Sequence, residues 1–170
     1  MSDLRWGRIF GADGRTLVVA MDHPGYQAAP GLEDPSRFLR TAAAAGADAV
    51  LTTYGTVVRH GAALRGLGVI LRMDGAQTQM GSVSGAMRLI HSADAAARLG
   101  VDAVGAMCFP GAPDESDSLE RAAHLADAAH AAGLPVMLET LTPNTRFPTS
   151  TTRPAYSWPP ANGRGTRSIP

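Results

Sequence analysis

Asp22, His23, Asp74 and Glu139 are the residues of this 170-residue chain whose types and positions could do chemistry. Each stands where a short apolar run stops. Leu17–Met21 ends in Asp22 and His23, GVILRM (68–73) ends in Asp74, and LPVML (134–138) ends in Glu139. Asp22 and Glu139 brought to one mouth could do acid–base work, sharing one proton or splitting their pKa values. His23 with Asp74 and Glu139 could also ligate a divalent ion, since imidazole and carboxylate suit several. The chain has no tight ligand pair such as HxH or HExxH, and no metal or cofactor is expected. Thr53, Cys108 and Phe109 end two further runs. Cys108, between Met107 and Phe109, reads as a buried inert thiol rather than a nucleophile. His60, His91, His124 and His130 fall in stretches of helical pattern and read as surface or packing residues.

One absence limits the chemistry more than any motif extends it. All fifteen cationic side chains are arginine and none is lysine. Guanidinium is not a usable amine nucleophile at neutral pH, so no side chain of this sequence can form a Schiff base. A Gly-rich phosphate loop closed by lysine is absent for the same reason.

The elements that position these residues follow a repeat. AAAAGADAVLTT (42–53), AARLGVDAVGAM (96–107) and AHAAGLPVMLET (129–140) share one plan: Ala-rich helix end, glycine, apolar strand, small or polar residue. Strands are expected to start near 17, 48, 68, 101 and 134. In the first, Leu17, Val19 and Met21 take one face and Val18, Ala20 and Asp22 the other. Pro24 biases His23 toward an extended backbone, and Gly25 permits a sharp turn. Asp34-Pro35 opens a helix that stops at Gly46. A short helix is expected around Val57–Leu64. Ser92 caps Ala93–Leu99, closed by Gly100, and Asp114 or Ser116 opens a helix to Ala132, closed by Gly133. Residues 1–15 read as a polar lead-in with Ile9-Phe10 as a staple, and 75–90 stays ambiguous because glycines interrupt it.

Repeated βα units imply a parallel sheet, either doubly wound or a (β/α)₈ barrel, and both place chemistry at the C-terminal strand ends. No GxGxxG follows the first strand, and the barrel is favoured: an α/β fold with a partial (β/α)₈ TIM barrel of about five units over residues 1–145. From 146 to 170 the plan is abandoned. From Thr145 onward the chain holds five of its twelve prolines, four arginines and no acid, without helical or strand period. This stretch is read as a disordered tail from a truncated or frame-shifted end, with a natural linker or tail as the alternative.

Fifteen acids balance the fifteen arginines, so nothing points to nucleic acid or an acidic membrane surface as a partner. No apolar run reaches the length of a membrane span. The start, MSDLRWGRIF, lacks the apolar core of a secretory signal, and the lone Cys108 fits a reducing cytoplasm. Five strands with two open edges are expected to associate, which makes a homo-oligomer, or a non-catalytic half-barrel paired through those edges, an alternative to an enzyme.

GRIFGADGRTLVVAMDH (7–23), GADAVLTTYG (46–55), GVDAVGAMCFPG (100–111) and AAGLPVMLE (131–139) resemble the bacterial and archaeal-type class I fructose-bisphosphate aldolases, of the DeoC/FbaB/LacD aldolase superfamily. The most specific part is R-I-F-x-x-D-G-R followed by a strand and Asp-His. The resemblance implies a (β/α)₈ barrel that makes or breaks a carbon–carbon bond in a ketose phosphate through a Schiff base to a lysine on strand six. Relatives use other partners, as in building amino-heptulosonate precursors. It also implies that Asp22 lies at the active site with His23 beside it. Pro24 stands in place of the glycine of the family's DHG pattern. The family's Tyr-Pro-Gly on strand four is here Phe109-Pro110-Gly111, so the tyrosine hydroxyl is missing. The strand-six lysine and the phosphate loops have no counterpart in this sequence, so the chain by itself is expected to show little or no catalysis.

Overall fold

A computed structural model of the chain describes residues 3–75, 78 and 87–142. In chain order its elements are α1 (Asp3–Ile9), β1 (Val18–Met21), α2 (Pro35–Ala44), β2 (Ala49–Thr52), α3 (Tyr54–His60), β3 (Gly68–Arg72), β4 (Asp74–Gly75), β5 (Arg88–Leu89), α4 (Ala93–Leu99), β6 (Ala103–Cys108), α5 (Glu115–Ala131) and β7 (Val136–Thr140). Single 3₁₀ turns follow β1 (His23–Gly25) and α3 (Gly61–Leu64). Five strands pair in parallel in the order β1-β2-β3-β6-β7, while β4 and β5 form a small antiparallel ribbon. Order in the sheet follows order in the chain with no reversal. That is the winding of a barrel, and a doubly wound sheet would have reversed direction at its first strand. The fold is therefore a curled parallel half-barrel with helices on its outer face, as the repeat implies. The proposed 146–170 tail lies outside the described residues, as does most of the ambiguous 75–90 segment.

The helices start and stop where polar side chains and glycines dictate. Asp34 Oδ1 accepts from the Arg37 amide at 3.0 Å, and Pro35 occupies the first turn of α2. Thr53 caps α3 through the Thr56 amide, and Ser92 caps α4 through the Ala95 amide. Gly46 and Gly100 follow α2 and α4 with φ of 91° and 80°, a left-handed backbone that costs glycine nothing.

The repeated G-x-D-A-V has a structural meaning beyond the glycine. Asp48 Oδ2 accepts from the Leu17 amide at 2.7 Å, and Asp102 Oδ2 accepts from the Val69 amide at 3.0 Å. In each case the aspartate entering one strand ties down the start of its neighbour, satisfying an amide that the ladder leaves open.

Alternation along the strands separates two apolar layers. On the outer face Met21, Leu39, Val50, Leu64 and Leu67 pack as one cluster, and Leu71, Met73, Val104, Leu125 and Leu134 belong to another. On the inner face Ala49, Leu51, Ile70 and Ala103 pack around Ile9 of α1. The expected staple at Ile9 is real, but the lead-in is a helix rather than polar coil. α1 lies across the N-terminal strand ends, held by an Arg8–Asp102 ion pair at 2.9 Å and by Arg5 donating to the Val101 carbonyl. DLRWGRI carries glycine and tryptophan and little helical signal of its own. Tertiary contacts supply what propensity does not.

Gly68 is where α1 meets the sheet. A methyl there would collide with the Arg8 carbonyl and stand 3.2 Å from the Ala49 Cβ. Gly68→Ala is expected to push α1 off the strand ends and lower stability by about 1–3 kcal/mol, the usual cost of overpacking. Urea unfolding monitored at Trp6 checks this; an unchanged midpoint would show that α1 is not seated on Gly68.

Candidate active site

The C-terminal ends of the strands surround a cleft of about 670 Å³. Its lining includes Asp22, His23, Thr53, Asp74 and Glu139, so five of the seven strand-end residues singled out in the sequence meet there. Cys108 and Phe109 do not line it. Cys108 is buried as expected, on the outer face, its Sγ 3.8 Å from Ser118 Oγ of α5. Alternation is the reason: Met107 takes the inward position on β6 and lines the cleft instead.

At the floor, three acids converge on one cation that sequence reasoning passed over. Arg72 Nε donates to Asp22 Oδ2 at 2.7 Å, and Arg72 Nη2 donates to Glu139 Oε2 at 2.7 Å. Asp22 and Glu139 thus meet on a guanidinium rather than on each other. Arg72 Nη1 also stands 3.6 Å from Asp74 Oδ1, an ion pair without a hydrogen bond. Neither of these two atoms has a hydrogen-bond partner among the described residues. A signal for Arg72 was present in GVILRMD. A charge two residues before the terminal acid shares its face of the strand, and a charge inside an otherwise apolar strand needs a partner.

Burial opposes the charge on Arg72, but Asp22, Glu139 and Asp74 outweigh it and raise its pKa further. Its cation is permanent at any working pH. Asp74 is enclosed, and burial raises its pKa, against the Met107 amide that donates to Oδ2 at 2.8 Å and against Arg72 and Arg121.

His23 departs from its expected extended conformation. It opens the 3₁₀ turn, and its carbonyl accepts from the amides of Tyr26 and Gln27, both at 2.9 Å. Those two bonds compensate the bias that Pro24 imposes. The turn re-aims the chain so that Asp22 and His23, adjacent in sequence, both face the cleft. His91 was expected in a helix; it lies just before the Ser92 cap. It stacks on Tyr54 with ring centroids 5.0 Å apart and lines the cleft. Burial lowers its pKa, which favours the neutral imidazole. His60 ends α3 beside Ser36, and His124 and His130 are exposed on α5. Among the described residues no group of three or more His, Cys, Asp or Glu side chains is arranged to hold a metal ion. The acids of the floor are turned toward Arg72.

The raised pKa of Asp74 has a definite sign. The folded chain binds that proton more tightly than the unfolded chain, so this group makes stability fall as pH rises through and above the ordinary carboxylate range. Wild type is therefore expected to lose stability relative to Asp74→Asn between pH 4 and 7, whatever the constant offset between them. Unfolding midpoints across that range test it, and parallel profiles for the two proteins would refute the burial account.

The fold is shared with solved aldolases. Over 79% of its length it superposes on an archaeal fructose 1,6-bisphosphate aldolase with 27% identity and a TM-score of 0.66. A Schiff-base-forming fructose-1,6-bisphosphate aldolase, solved through its reaction intermediates, matches over the same share at 26% identity and a TM-score of 0.65. In both cases the match covers 55% of the other chain, so this chain spans about half the length of these relatives. The fructose-bisphosphate aldolase of Slackia heliotrinireducens, at 18% identity and a TM-score of 0.65, shares the fold over 83% of this chain and 49% of its own. Residues 15–155 match the family model of the DeoC/LacD family aldolases, and the chain belongs to that family.

Proposed function

We propose that this chain carries the strand-one-to-five side of an aldolase site for a ketose phosphate, fructose-bisphosphate aldolase-like in the bond it addresses. The observation that carries the reading is the convergence of Asp22, His23 and Glu139 on one strand-end cleft in a chain of the aldolase family. Carboxylates held in place by Arg72 offer fixed acceptors for the hydroxyls of a polyol. In aldol chemistry one such group takes the hydroxyl proton as the carbon–carbon bond breaks. We assign that proton to Asp22 or Glu139, with His23 bordering the same space. The setting that this reading implies is sugar metabolism in the cytoplasm.

The electron sink is a different matter. In a Schiff-base aldolase it is a protonated imine, and fifteen arginines without a lysine supply no side-chain amine to make one. We infer that this chain alone binds and handles protons but does not turn over. Incubation with fructose 1,6-bisphosphate and borohydride, followed by peptide mass mapping, is expected to leave every internal side chain unmodified, with the α-amine as the sole reactive amine. Steady cleavage of the substrate, or an internal adduct, would overturn the inactivity. If Asp22→Asn left ketose phosphate binding unchanged in ligand-observed NMR, the assignment of the cleft would fail.

A second reading rests on the sheet edges. Among the described residues β1 and β7 are each paired on one side only, and Leu138 and Leu141 stand 45% and 46% exposed at the β7 end. An open edge with apolar neighbours invites another strand. Self-association is the expected consequence, and sedimentation at micromolar concentration would show a dimer or larger species. A compact monomer would count against it.

A further inference from the structure

A second concavity lies on the outer surface, between α2 and the 3₁₀ turn that follows α3, and shares no lining residue with the strand-end cleft. It measures about 340 Å³. Arg40, Arg59 and Arg65 stand around it together with Ser36 and His60, and three alanines complete the lining. No acid lines it. None of the three arginines has a carboxylate within 4.0 Å among the described residues, in contrast to Arg8 and Arg72.

Its walls are fixed by the core. Ser36 and Arg40 lie four residues apart and so on one face of α2. Leu39 and Leu64, the sequence neighbours of Arg40 and Arg65, are buried in the same outer cluster. A hydrogen bond of 2.8 Å between Ser36 Oγ and His60 Nδ1 ties the two walls together. The walls of the groove are thus fixed, and the exposed arginines stand on them.

Three arginines lining one concavity without an acid leave positive charge there that an anion would compensate. The chain as a whole is neutral, so this concentration of positive charge is local and not a by-product of composition. Guanidinium forks match the oxygens of a phosphate in pairs. The volume suits a small molecule, and neutrality overall argues against a nucleic acid. We propose that this groove binds a phosphate group, free or carried on a small molecule, at a site separate from the strand-end cleft. Arg40, Arg59 and Arg65 hold the oxygens, and the Ser36–His60 pair borders them.

The test is a titration of the isotopically labelled full chain with inorganic phosphate and, separately, with glycerol 3-phosphate, at constant ionic strength. Saturable shifts are expected at the amides of residues 59–65 and at the arginine Nε groups. Arg40→Gln and Arg59→Gln should each weaken binding by roughly tenfold or more, the usual worth of a charge-assisted hydrogen bond. Arg37→Gln, on the same helix but outside the groove, should leave it unchanged. All three positions are exposed, and an unchanged unfolding midpoint verifies that the variants fold. Equal affinity for the two probes assigns the phosphate alone, and preference for the ester assigns the rest of the small molecule a place in the groove. Shifts that never saturate, a loss in Arg37→Gln equal to that in Arg59→Gln, or saturation confined to residues around Arg72 would each overturn the proposal.

Discussion

One guanidinium sets the shape of the functional end of this molecule. Arg72 rises from the middle strand of five, yet it bonds Asp22 beyond one edge strand and Glu139 on the other. In a flat sheet those edges would lie four spacings apart, roughly 19 Å at about 4.8 Å each. Two bonds of 2.7 Å from one side chain require the sheet to curl until both edges lean over the centre. The ion cluster and the curvature are the same fact seen from two sides. The outer helices press on the convex face, and the clasp draws in the concave one.

That dependence explains the limits of reading the chain as a string. The repeat was legible because each of its parts is local: a cap at Asp34 or Ser92, a left-handed glycine at 46 or 100, an apolar run of strand length. Parallel pairing followed from the βα repeat, which left the order open between a barrel and a doubly wound sheet. The acids at the strand ends were legible one at a time, and five of the seven residues expected at the mouth are there. What joins them was missed, since Arg72 reads as an interruption in an apolar strand until its partners on β1 and β7 are brought alongside. Cys108 follows Met107 directly, and a strand sends neighbours to opposite faces, while Phe109 lies beyond the end of β6. α1 escaped for another reason. Its residues form a helix because they close the sheet's lower end, a cause invisible within the segment itself.

Chemistry at this mouth is defined by a cation that never leaves. A lysine in the position of Arg72 could lose its proton and attack a carbonyl, whereas arginine remains charged and planar. The guanidinium therefore serves geometry: it fixes where carboxylate oxygens stand and leaves the acids to handle protons. Asp74 occupies the tightest position, enclosed and short of a hydrogen bond, while Glu139 keeps contact with water. A single ion cluster thus contains acids in very different surroundings, the condition under which otherwise similar carboxyl groups take different roles.

The seat of α1 has a consequence for the order of assembly. Arg5 and Arg8 reach Val101 and Asp102, partners 96 and 94 positions further along the chain. The helix is made before β6, and its docking surface is incomplete until β6 has followed. Contacts of such long sequence separation close late, because the loop between them must be ordered first. During synthesis Ile9 is therefore without its final surroundings until the strands up to β6 have been made. A segment made before every strand of the sheet is thus among the last to find its place.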